Sequence, residues 1–133
     1  MFMMKDNPIC KETGMFLIRL ALAIVFILHG WEKVADMAKT VAAFEGMGFS
    51  AFWAYLVAWV ELLGGVAMLL GVWTKCVGWL LAIIMAVAIY VVKGMGMGLS
   101  GGYEFNVVLL LIALGVAFAG PGTLTVKKFF SKE

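Results

Sequence analysis

Residues 76–92 read CVGWLLAIIMAVAIYVV, seventeen consecutive positions without a charged side chain. About 17–25 apolar residues make a helix long enough to cross ~30 Å of hydrocarbon. The run is continuous and not alternating, which argues against a barrel strand, and a membrane barrel needs at least about eight strands. In lipid the backbone must satisfy its own hydrogen bonds, and a helix does so within one segment. Three more stretches approach the same length. Met15–Trp31 contains Arg19 and His29, Phe52–Trp73 contains Glu61 as its single ionisable residue, and Phe105–Ala119 is the shortest. The last gains length from flanking residues, so the predicted spans are 15–31, 52–73, 76–92 and 103–121. The expected fold is all-α: one integral membrane domain over residues 1–133, a four-helix transmembrane bundle.

Composition agrees. Of 133 residues, 65% are hydrophobic and 14% charged, with a mean hydropathy of +1.07. A soluble domain averages about 45–50% apolar and about 25% charged. Too little polar surface exists to coat a water-soluble globule. Ten Lys and Arg against eight Asp and Glu exclude a basic nucleic-acid binder, and the apolar content excludes disorder. The first span is expected to be retained rather than cleaved as a signal peptide. Arg19 lies inside it, and Ala21-Leu22-Ala23 falls in mid-helix instead of after the run.

Four spans put both termini on one side together with the turn at Thr74-Lys75. Seven positive residues fall there (Lys5, Lys11, Arg19, Lys75, Lys127, Lys128, Lys132), against Lys33, Lys39 and Lys93 on the other side. The positive-inside rule then predicts a multi-pass protein of the cell membrane with cytoplasmic termini. The longest connection holds Val34, Met37, Val41 and Phe44 at helical spacing among charged residues, predicting an amphipathic interfacial segment over 33–45.

A polar side chain inside a span is costly and normally faces the protein interior with a partner. Arg19, His29, Glu61 and Glu104 are therefore the informative positions. A helical rise of ~1.5 Å per residue puts Arg19 roughly 8 Å and His29 roughly 22 Å deep, with Glu61 roughly 16 Å from the same edge. The expectation is one network centred on Glu61, kept ionised by Arg19 and approached past His29 and Glu104. A histidine beside a carboxylate suits proton transfer, which makes His29 and Glu61 the catalytic candidates. The plainer reading is an Arg19–Glu61 ion pair that only fixes helix register. Ala54, Ala58 and Gly65 share the face of Glu61, which serves close helix packing.

Other chemistry is weakly represented. Cys10 and Cys76 form no C-x-x-C, and a single histidine cannot supply both axial ligands of a bis-His haem. Met95 and Met97 could hold Cu(I), but ten methionines in an apolar chain make chance placement the simpler account. No metal site and no covalently bound cofactor are predicted. There is no glycine-rich phosphate loop followed by Lys-Ser/Thr.

Arg19-Leu20-Ala21-Leu22 leading to His29-Gly30-Trp31-Glu32-Lys33 resembles the first helix of the DoxX family of small membrane proteins. Gly48-Phe49, Glu61-Leu62-Leu63-Gly64-Gly65, Gly71-Val72-Trp73-Thr74, Gly102-Tyr103-Glu104-Phe105 and Gly120-Pro121-Gly122 follow in order, so the likeness covers residues 15–125. The resemblance implies a four-helix membrane protein, with Arg19, His29, Glu61 and Glu104 at the family's polar positions. The family takes its name from a membrane quinone oxidoreductase that oxidises thiosulfate, and other members are linked to thiol-based stress defence or quinone detoxification. The implied function is a subunit or small enzyme of quinone- or thiol-linked redox metabolism. On that reading a quinone enters between helices, bounded by Trp31, Trp59 or Tyr103, with Arg19 and Glu104 completing the binding set. The expected partners are membrane lipids, a quinone, a redox partner protein and further copies of the chain. The resemblance leaves open whether the chain is itself catalytic. The alternatives are a non-catalytic scaffold or assembly protein and, ranked last, a small-molecule transporter.

Overall fold

The computed structural model describes residues 7–130. These form six helices: α1 Pro8–Ala35, α2 Met37–Gly46, α3 Ala51–Leu70, α4 Thr74–Gly94, α5 Glu104–Ala119 and the short α6 Val126–Phe130. No strand occurs among the described residues. A wide turn, Leu99–Tyr103, leads into α5. Four helical segments are long and apolar enough to cross a membrane: Pro8–Ala35, Ala51–Leu70, Thr74–Gly94 and Leu99–Ala119. The protein is a four-helix multi-pass membrane protein, and the large apolar side chains left on its outside, such as Leu17, Leu28, Leu63 and Phe118, face lipid.

α1 extends beyond the apolar run at both ends. Asn7 caps it, its side chain accepting from the Ile9 N–H at 3.0 Å, and Pro8 occupies the first turn, where no backbone donor is lost. At the far end the helix continues to Ala35, so Lys33 belongs to α1 and not to the interfacial segment. Asp36 then caps α2 through the Lys39 N–H at 3.2 Å. The Thr40 hydroxyl donates to Lys33 O at 2.9 Å and ties α2 back to the end of α1.

The bundle is built from two intimate pairs, α1 with α3 and α4 with α5. Glycine lets each pair approach. A Cβ on Gly30 would lie 2.4 Å from Leu62 N, and one on Gly78 would lie 3.0 Å from Ala113 O. Leu22, Phe26, Met68, Leu81, Ala113 and Val116 fill the core between the pairs. The start of α1 and the segment after α5 meet at one end of the bundle, the terminal end, where the Glu12 carboxylate accepts from the Thr123 N–H. α2 and the turn before α5 lie at the opposite end.

Candidate functional site

The predicted Arg19–Glu61 network does not form. Arg19 is 1% exposed, and its guanidinium donates to four backbone carbonyls: Nε to Met68 O at 3.0 Å, Nη1 to Pro121 O at 2.7 Å and Leu124 O at 2.8 Å, and Nη2 to Leu69 O at 3.2 Å. Met68 and Leu69 belong to the last turn of α3, whose carbonyls have no partner within the helix. A cation there also faces the negative end of the helix dipole. Gly71 makes room for this clamp: its φ is +74°, and a Cβ would lie 2.8 Å from Arg19 Nη2. Arg19 is a structural staple between α1, the end of α3 and the segment after α5.

Glu61 instead accepts from Lys33, Nζ to Oε2 at 2.7 Å. The reason lies in helix direction. A helical side chain leans toward the N-terminus of its own helix. On α1 that lean carries Arg19 toward the terminal end. α3 runs antiparallel, so Glu61 leans the other way. Lys33, fourteen residues and about 21 Å along α1 from Arg19, leans back into the bundle and meets it. Depth alone had made Arg19 and Glu61 look like neighbours.

The Lys33–Glu61 pair stands in the wall of a cavity of about 680 Å³ in the half of the bundle away from the termini. Glu61 is almost fully buried, its side chain 4% exposed against 27% for Lys33. His29 and Asn106 line the same space. His29 and Lys33 are four residues apart and so share one face of α1. His29 Nδ1 lies 2.8 Å from Val25 O. A carbonyl can only accept, so Nδ1 carries a proton, and in the neutral ring Nε2 is then the acceptor. The ring sits 5.8 Å from that of Phe105. Asn106 Nδ2 donates weakly to Met85 Sδ at 3.7 Å. The remaining wall is apolar, with Phe44, Phe49 and Trp53 above and Leu56, Ile84 and Leu109 among the aliphatics.

Of the residues singled out from sequence, the cavity brings together His29 and Glu61. Arg19 lies at the other end of the bundle. Glu104 accepts from the Gly101 N–H at 3.2 Å in the turn before α5 and is exposed. Trp31 and Trp59 point outward, 60% and 45% exposed, and neither they nor Tyr103 line the cavity. The aromatic boundary is made by Phe44, Phe49, Trp53 and Phe105 instead. Lys33 and Asn106 were missed. Lys33 could have been found by its four-residue spacing from His29, and Asn106 as the only amide side chain within the fourth span.

A membrane bundle of two helix pairs, with a mostly apolar cavity carrying a few polar side chains in the half away from its termini, defines the class. Within it, the DoxX family profile matches residues 14–94, and the chain belongs to the DoxX family. It is 36% identical over 121 residues to "Putative oxidoreductase CatD" of Bacillus subtilis (strain 168), covering 91% of this chain and 90% of that protein. A shorter likeness, 35% over 65 residues, joins it to the inner membrane protein YqjF of Escherichia coli (strain K12), covering 49% of this chain and 50% of that one. An uncharacterized protein of Haemophilus influenzae (strain ATCC 51907 / DSM 11121 / KW20 / Rd) is 30% identical over 135 residues, covering 95% and 99% of the two chains. No solved structure matches the chain.

Proposed function

We propose that the cavity binds a quinone and that the protein serves quinone-linked redox metabolism in the membrane, as a small enzyme or as the membrane subunit of one. The observation that carries this reading is the composition of the cavity wall: four polar side chains, Lys33, Glu61, His29 and Asn106, in an otherwise apolar space of about 680 Å³. Ligand cavities of about 300–1,000 Å³ with a few placed polar groups are typical of small-molecule sites. Lys33 spends one N–H on Glu61 and has two more to offer a ring carbonyl. The second carboxylate oxygen of Glu61 can accept from a ring hydroxyl. Reduction of a quinone to a quinol takes two electrons and two protons. In the reverse step, oxidation of a bound quinol, the two protons leave to the Glu61 carboxylate and His29 Nε2, which are placed to accept them, and a redox partner protein would take up the two electrons. The oxidoreductase named among the relatives points the same way.

Orientation belongs to the same proposal. Arg19 and Lys33 are engaged inside the bundle, which leaves six lysines at the terminal side against Lys39 and Lys93 at the other. That balance supports cytoplasmic termini.

The Lys33–Glu61 pair also supports a second reading, a scaffold in which the pair only joins α1 to α3. One experiment separates the two. The protein is purified in mild detergent and extracted with organic solvent, and the small molecules are identified by mass spectrometry. A stoichiometric quinone that is lost, together with quinone-dependent turnover, in folded Glu61→Gln is the expected result. Bulk lipid alone, with no spectral change on titrating quinone, would leave the scaffold.

A further inference from the structure

We propose that the ligand of the inner cavity carries a long apolar chain, which leaves the protein sideways into the bilayer through a slot between α3 and α4. The proposal rests on the quinone reading and narrows it to quinones dissolved in the membrane.

α3 and α4 form a hairpin through the short turn at Gly71–Trp73, and they pack closely where Gly64 faces α4. A Cβ on Gly64 would lie 3.2 Å from Val77 Cγ1 and 3.3 Å from Leu81 Cδ2. Further from the turn the helices stop filling the space between them: Val57 and Val60 of α3 and Ile84 and Ala88 of α4 line the cavity instead. α3 meets α4 far less than it meets α1. Four side chains on this side, Leu56, Leu80, Ile83 and Val87, line the cavity and are also 41–59% exposed on the outer surface. A side chain with both properties stands on the rim of an opening.

Exposed lining residues also include His29, Met47, Trp53 and Phe105, but the four on this side are aliphatic, and three lie in the middle of α4, a membrane-spanning helix. The opening therefore faces hydrocarbon. A hydrocarbon chain passing through it stays in one kind of solvent, whereas a polar molecule from water would have to cross the acyl layer to reach it. The polar groups of the cavity come from α1, α3 and α5 and none from α4, so a ring held by Lys33 and Glu61 can leave its tail to the α4 side. A different route would suit soluble ligands. A second recess at the end opposite the termini, lined by Gly46, Tyr90, Lys93 and Met95, shares Met47, Phe49 and Val91 with the inner cavity.

The test uses the full chain in lipid nanodiscs and two benzoquinones with the same ring, one short and water-soluble, one with an isoprenoid tail. Binding is read by quenching of tryptophan fluorescence, since Trp53 lines the cavity, with concentrations corrected for membrane partitioning. Leu56→Phe/Val87→Phe narrows the slot, and Ile83→Phe is the milder alternative should the double variant fold poorly. The expected result is that the narrowed protein loses about tenfold or more in affinity for the tailed quinone and less than about twofold for the short one. Equal losses for both, or none for the tailed quinone, would overturn the slot and point to the recess at Lys93. If the unaltered protein binds neither quinone, the quinone reading itself fails and the slot proposal falls with it. If it binds only the short one, the cavity stands and the chain-bearing ligand does not.

Discussion

The two ends of this bundle each engage a cation, buried Arg19 at one and half-buried Lys33 at the other, and they use it in opposite ways. At the terminal end Arg19 is enclosed by four carbonyls that belong to the backbone. Among the described residues no carboxylate pairs with it. At the other end Lys33 pairs with Glu61 in the wall of a cavity, and both keep hydrogen-bonding capacity unspent by the protein. A planar guanidinium with five fixed donors suits several carbonyls at once, whereas an ammonium on a flexible stem suits one carboxylate and a changeable second partner. The terminal end spends its polar capacity on architecture, and the cavity end leaves some of it unspent.

The largest effect expected from breaking this contrast is at Arg19. Arg19→Met keeps the apolar stem but leaves the carbonyls of Met68, Leu69, Pro121 and Leu124 without their donors. A buried polar group left unpaired costs about 1–3 kcal/mol, and carbonyls near a helix end recover part of that by relaxing or finding water. A loss of about 3–5 kcal/mol is the expected total, read as the shift of the unfolding midpoint in detergent. Arg19→Lys should recover part of it, since three donors replace five. Ligand affinity of the folded fraction should stay within about twofold of the unaltered protein, because the clamp and the cavity lie at opposite ends. A matched loss of affinity would show that the two ends are one coupled unit.

The sequence carried the four spans plainly, because each is a long apolar run and the bilayer admits few other ways to satisfy a backbone. It also marked His29 and Glu61, since ionisable residues in such runs stand out. The partners were harder to read. Lys33 looked like an interfacial residue because the apolar run stops at Trp31, yet Glu32, Lys33 and Val34 continue the helix. The Arg19–Glu61 pairing followed from comparing depths, which ignores the direction in which each side chain leans. Arg19's true partners are backbone carbonyls, and a carbonyl has no letter in a sequence. Only the glycines and proline at Gly71 and Gly120-Pro121-Gly122 mark where chain ends gather near it.

The next effect in size concerns the cavity end and has a sign that distinguishes its two members. Lys33→Met leaves a nearly buried carboxylate without its cation, at a cost of about 2–3 kcal/mol once the partial exposure of Lys33 is allowed for. Glu61→Gln should cost only about 1 kcal/mol, since the freed ammonium can extend toward the membrane surface. The double variant Lys33→Met/Glu61→Gln should be more stable than Lys33→Met alone, because no uncompensated charge remains. Equal losses from the two single changes would mean that Glu61 is better hydrated than its burial implies, and so that water already fills the cavity.

The smallest effects test where the cavity end is open. Gly30 lies on α1 beside His29, close to the cavity, yet a Cβ there would meet the α3 backbone at 2.4 Å from Leu62 N and 2.7 Å from Leu62 Cα. The α1–α3 seam is thus shut alongside the cavity, which leaves as lateral ways in the α3–α4 side and the α1–α5 side, where exposed His29 and Phe105 also line the cavity. Gly30→Ala should cost about 1–3 kcal/mol by forcing the pair apart. Gly115 on α5 is the control, with nothing within 4 Å of an added Cβ. Gly115→Ala should be neutral or stabilising by up to about 1 kcal/mol, the helix-propensity difference. If Gly30→Ala proved as harmless as Gly115→Ala, α1 and α3 would be able to part without penalty. The seam between them would then rival the α3–α4 slot as a lateral way into the cavity.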